Sequence, residues 1–83
     1  MSELEIVYDM YPNPIEETLN IVTNSAIKKI TIYTITGIQI LVEKPKIATT
    51  QYQLHFDNTI EPNMYLIKVE TENGVINSKI VKQ

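Results

Sequence analysis

Apolar residues recur at every second position along most of the chain rather than every third or fourth, the spacing of a pleated strand and not of a helix. In KKITIYTI, Ile30 and Ile32 fall on one face and Thr31, Tyr33 and Ile35 on the other. TQYQLHFD sets Tyr52, Leu54 and Phe56 against Gln51, Gln53 and His55, the alternation of a half-buried antiparallel strand. MYLIKVET predicts Tyr65, Ile67 and Val69 inward with Lys68 and Glu70 outward; VINSKIVK predicts Ile76 and Ile80 inward with Asn77 and Lys79 outward. β-branched residues and tyrosine dominate these runs, which suits a pleated surface.

Turn residues divide the runs at short intervals. Tyr11, Pro12, Asn13 and Pro14 stand between LEIVY and TLNIV, and two prolines without N–H groups cannot lie inside a ladder, so the segment is a stop. Thr36-Gly37 separates ITIYTI from IQILVE, and ENG separates YLIKVET from VINSKIVK, each a hairpin signal. Asn73-Gly74 predicts a type I′ turn, since both residues tolerate positive φ. Pro45 and Pro62 mark longer connections. The pattern predicts seven strands, at 4–8, 18–22, 28–35, 38–43, 51–56, 64–71 and 75–82, and no amphipathic helix. Seven short strands at this spacing read as an all-β, immunoglobulin-like antiparallel β-sandwich, with a partly open barrel as the competing architecture. Residues 1–10 are expected to hold the end of a linker and the first strand, and 11–83 the single domain that 4–8 joins as its first strand.

At 83 residues one small core is expected, and with no cysteine neither a disulfide nor a thiolate metal site can staple it. Stability has to come from packing. All seven basic residues are lysine and the net charge is −3, which argues against nucleic-acid binding, where arginine forks recognise phosphates and bases. The apolar runs fall well short of the ~20 residues that span a bilayer, so direct membrane insertion is not expected. Met1 leads into SELE without a basic and then an apolar region, so the chain is expected to carry no secretory signal of its own. If its home is outside the cytoplasm, the expectation is a piece of a longer protein.

Candidate chemistry is sparse. His55 and Asp57 share a strand face, but no serine or cysteine stands beside them, and Leu54 and Phe56 claim the inward side. Asp57, Asn58 and Glu61 fall in one loop without the spacing of a calcium loop, and a solvated turn is the better reading. Two glycines, Gly37 and Gly74, cannot build a phosphate loop. No enzyme activity, metal or cofactor is expected. The five tyrosines raise a carbohydrate platform, yet Tyr8, Tyr11, Tyr33 and Tyr52 read more simply as strand residues with a packed body and a wet hydroxyl. Lys68, Lys79 and Lys82 lie on the last two strands, as guards of an edge or as a docking surface.

YPNP at 11–14, LNI at 19–21, ITIYTITG at 30–37, PNMYLIKVETENG at 62–74 and KIVKQ at the end together resemble the type A C-terminal sorting domain of the type IX (Por) secretion system. The resemblance implies an immunoglobulin-like domain carried behind an N-terminal cargo domain in Bacteroidota-type bacteria. It implies passage through the periplasm, recognition by the outer-membrane translocon, and removal by a sortase-like peptidase, with the cargo left on the cell surface or secreted. Gly37 matches the family's hairpin glycine; Tyr65, Ile67, Lys68 and Val69 match the penultimate strand; Lys79, Val81 and Lys82 match the terminal one. On this basis Lys68, Lys79, Val81 and Lys82 are the expected partner-binding residues. Asn63 stands where the family usually has glycine, and asparagine is expected to keep a left-handed backbone there. Ile38 replaces the usual basic residue or glutamine after the hairpin glycine. A small adhesion or carbohydrate-binding sandwich is the alternative.

Overall fold

A computed structural model describes residues 7–12, 15–56 and 59–83. Among them the chain is all-β, with antiparallel strands and no helix: β1 (Tyr8–Tyr11), β2 (Thr18–Thr34), β3 (Gln39–Glu43), β4 (Thr49–His55), β5 (Asn63–Thr71) and β6 (Gly74–Lys82). Six strands therefore replace the expected seven among the described residues, because 18–22 and 28–35 are one strand. The polar stretch Thr23, Asn24 and Ser25 that separates their apolar runs stays extended. The strand expected at 4–8 lies outside the described residues up to Ile6, and β1 begins at Tyr8. The proline stop holds where it is described: Tyr11 ends β1 and Pro12, behind a cis peptide bond, is outside it. Asn13 and Pro14 lie outside the described residues.

β2 is the spine. Its first part pairs with β1 (Tyr8↔Thr23 to Tyr11↔Asn20) and with β4 (Thr18↔His55 to Val22↔Gln51). Its second part pairs with β3 and with β5, and β5 pairs with β6 over its whole length. Between the two parts the ladder to β5 steps from Ile27↔Thr71 to Lys29↔Glu70, leaving Lys28 as an extra residue in β2. A bulge of one residue reverses which positions point inward. Accordingly Leu19, Ile21 and Ile27 are buried at odd positions, but Ile30 and Ile32 at even ones.

The buried hydrophobics form one cluster drawing on both parts of β2, with Leu54, Phe56, Tyr65, Ile67, Val69, Ile76, Ile80 and Ile15 completing it. The inward sets expected for β5 and β6 are the ones observed, and Tyr52, Leu54 and Phe56 face the core as expected. Each fully buried aliphatic or aromatic side chain contributes about 1.5–3 kcal/mol. Thr31 is also buried, so β2 is covered on both faces where it is flanked by β3 and β5.

The hairpin tips depart from expectation in their backbone. Between β5 and β6 the loop is Glu72-Asn73, and among the described residues only Gly37 (φ 92°) and Gly74 (φ 149°) have positive φ. A type I′ turn needs positive φ at both central residues, so it does not form. Asn73 is instead held by its side chain: its Nδ2 donates to Ser25 Oγ at 2.8 Å and its backbone N–H to the same oxygen at 3.2 Å. Nor is Asn63 left-handed; it opens β5, and its Oδ1 accepts the N–H of Met64 at 2.8 Å. A strand start takes extended backbone, so no glycine is required at 63. The Gly37 turn forms as expected, with Gly37 N–H donating to the Thr34 carbonyl at 2.9 Å.

Candidate docking edge and face

β6 is the last strand in the order β1-β2-β5-β6, so one side of it is an edge. Its ladder to β5 runs from Asn63↔Lys82 to Thr71↔Gly74 without a register shift. At the far end the edge is closed by Ile15, whose N–H donates to the Val81 carbonyl at 2.6 Å and whose carbonyl accepts from Gln83 N–H at 2.7 Å. This parallel bridge is not a strand, and no alternation announces it: Ile15 is a lone apolar residue between Pro14 and Glu16. It is nonetheless fully buried.

The expected partner-binding residues are only partly brought together. Lys68 is half-buried and Lys79 exposed on the outward face of the β5–β6 pair, where Lys68 sits opposite Asn77 and Lys79 opposite Leu66. Tyr33 joins them through its pairing with Leu66. These side chains line a shallow groove of about 380 Å³. Val81 is on the same outward side by alternation, and its carbonyl is taken by Ile15. Lys82 falls at the other parity, in step with buried Ile80, and its Nζ donates to the Gln83 carbonyl at 3.0 Å. Lys79 and Lys82 therefore do not present one surface. Leu66 was not named by the alternation, and Tyr33 was not expected beside the lysines, since β2 and β5 meet only by long-range pairing.

Tyr65, on the family's penultimate strand, is 5% exposed and its hydroxyl donates to the Glu61 carbonyl, so it anchors the loop before β5. His55 is exposed, as expected, while Asp57 and Asn58 lie outside the described residues. Among the described residues no cluster of three or more His, Cys, Asp or Glu could hold a metal, and no helix is long and apolar enough to cross a membrane. Of the tyrosines, Tyr8 and Tyr11 are exposed on β1, while Tyr33 and Tyr52 are half-buried. The Tyr52 hydroxyl donates to Glu43 Oε1 at 3.1 Å; burial, that hydrogen bond and the carboxylate's charge all push its pKa above the ordinary 10.0.

A family model described as the secretion system C-terminal sorting domain matches residues 9–83, and the chain belongs to this family of type IX secretion sorting domains. The family is not an enzyme family. No curated protein matches the chain.

Proposed function

We propose that this domain is the type A signal that carries an N-terminal cargo from the periplasm through the outer-membrane type IX translocon, after which a sortase-like peptidase removes it and the cargo is released or joined to the cell surface. The observation that carries this reading is the family match over residues 9–83, which covers β2 to β6 whole and β1 from its second residue. The open edge of β6 supports a recognition step by strand addition, in which backbone hydrogen bonds supply affinity and side chains supply choice. In the same reading the two parts of β2 close as layers of an immunoglobulin-like sandwich. The single core cluster shared by both parts, and the parity reversal at Lys28, support that closure.

The test is export of a fluorescent reporter bearing a periplasmic signal and this chain at its C-terminus, in a host with a working type IX system and in one without. Reporter outside the cell only in the competent host is the expected result. Retention in both, with the domain folded, turns the assignment to an adhesion or carbohydrate-binding module. Replacing Lys79 and Lys82 by glutamate is expected to leave the reporter in the periplasm. That variant is cleaner than deleting residues 80–83, which would also remove buried Ile80 and the Ile15 bridge.

A further inference from the structure

We infer that the open edge of β6 takes an acidic β-strand of a partner protein, with Asp or Glu opposite Lys79 on the outward face and aliphatic residues on the alternate positions. The inference rests on the docking reading above and names the chemistry of the strand that docks.

The backbone fixes where such a strand can lie. Val81 C=O and Gln83 N–H both point away from β5, towards Ile15. In a regular antiparallel pair the residues of one parity all turn their N–H and C=O outward. Val75, Asn77 and Lys79 share that parity, and all three are exposed. Lys79 C=O is engaged only by a long bond, 3.4 Å, from Ser78 Oγ. Among the described residues Ile15 covers the edge beside Val81 and Gln83, and no other strand pairs with Gly74 to Ile80 on that side. At about 3.3 Å per residue that is a contact roughly 20 Å long. The other edges offer less: β1 has 4 residues, β3 has 5 and is interrupted by an extra residue at Ile40, and β4 presents the uncharged side chains of Gln51 and Gln53.

Charge selects the occupant. On the outward face Lys68 has Thr31 and Asn77 as its cross-strand partners, and Lys79 has Leu66. The carboxylate on this face, Glu70, lies opposite Lys29 and Val75, two residues along from Lys68 and farther from Lys79. Lys79 thus ends the row Tyr33, Leu66, Lys79 at the edge, and among the described residues no carboxylate pairs with it. A carboxylate placed directly opposite satisfies it, as an opposite-charge cross-strand pair. A second copy of β6 cannot do so, since Gly74 to Ile80 contains no Asp or Glu. The opposite parity, Ile76 and Ile80, is buried against the core, so aliphatic side chains there extend an apolar layer.

The test titrates the isotopically labelled 83-residue chain with capped eight-residue peptides of alternating valine and threonine, in which one central threonine is replaced by glutamate, glutamine or lysine. The glutamate peptide is expected to bind at least about tenfold more tightly than the lysine peptide, shifting the amides of Val75, Asn77 and Lys79, with the preference shrinking in high salt. Lys79→Gln is expected to abolish the preference and Lys79→Glu to invert it, with core amides unchanged. Equal affinities, no binding of the glutamate peptide at millimolar concentration, or shifts confined to another edge would overturn the inference. So would self-association of Lys79→Val without any carboxylate preference, which would make the lysine a guard against edge pairing. The reporter experiment separates the two readings. An exported wild-type reporter alongside peptides without preference removes the acidic strand and leaves the sorting role; a retained one removes the sorting role whatever the peptides do.

Discussion

Ile15 and Val81 are joined by a 2.6 Å backbone hydrogen bond, and Gln83 returns the bond to Ile15 at 2.7 Å. Ile15, the residue after YPNP in the sequence, is thereby locked to the last residues of the terminal strand. The same contact marks where, among the described residues, the edge of β6 is covered.

Ile15→Ala is expected to destabilise the domain by about 2–5 kcal/mol, the range for emptying a fully buried aliphatic site. Urea unfolding measures the loss. In addition, hydrogen exchange at Gln83 should accelerate more than exchange in the middle of β5, because the bridge at that end loosens first. Uniform acceleration would mean that Ile15 supports the core without acting as a local clamp.

Ser25 is 2% exposed and accepts both donors of Asn73, so the β5–β6 hairpin tip is fastened to the middle of β2. Ser25→Ala and Asn73→Ala should each cost about 1 kcal/mol, as for a typical intramolecular hydrogen bond. The double variant should cost less than the sum, giving a coupling energy of about 0.5 kcal/mol or more in a double-mutant cycle. Additive losses would show that the side-chain bond adds nothing to the tip.

Lys28 is exposed and its side chain should be dispensable, with Lys28→Ala within about 0.5 kcal/mol of the parent. Deleting the residue is a different event. Without the extra position, either Leu19 and Ile21 or Ile30 and Ile32 must turn outward, so cooperative unfolding is expected to disappear. A deletion variant that still melts cooperatively near the parent's temperature would refute the role given to the bulge.

At Gly37 the backbone has φ 92°, and a Cβ would meet nothing within 4 Å. The cost of Gly37→Ala is therefore conformational rather than steric, about 1 kcal/mol or slightly more. A D-alanine placed there by chemical synthesis should be tolerated, since its mirror preference matches positive φ. Equal loss for both enantiomers, read by thermal unfolding, would contradict this account.

Tyr52 gives a pH dependence with a defined sign. Burial first, then the bond to Glu43 and its charge, favour the protonated phenol in the folded chain, so its pKa lies above the unfolded value of 10.0. Above about pH 10 the unfolded chain releases this proton while the folded one keeps it, and stability is lost as pH climbs towards the folded pKa. Tyr52→Phe should flatten that part of the alkaline stability profile. Ultraviolet titration should show one tyrosine ionising late in the parent and absent from the variant.

Period-two alternation was enough to identify β5 and β6, their inward residues and the Gly37 turn, because those features depend on neighbours in sequence. The family motifs were legible for the same reason, as short strings at fixed turns and strand ends. Local signals failed where the answer lay across the sheet. Thr23, Asn24 and Ser25 look like a break between strands, yet pairing with β1 and the bond to Asn73 hold this stretch extended within β2. Asn73-Gly74 looks like a type I′ turn, but Ser25 offers the asparagine a side-chain partner and the backbone takes another path.

An all-β chain, most of its inward faces and its family were therefore legible in the residues alone, since alternation and turn chemistry act over a few residues. Long-range pairing was needed to make β2 one spine, to bring Ile15 to the end of β6, and to place Tyr33 beside Leu66 and Lys79. Each of these depends on one extra residue or one long-range hydrogen bond. Such events change the parity or partner of a whole strand and leave almost no trace in the local pattern.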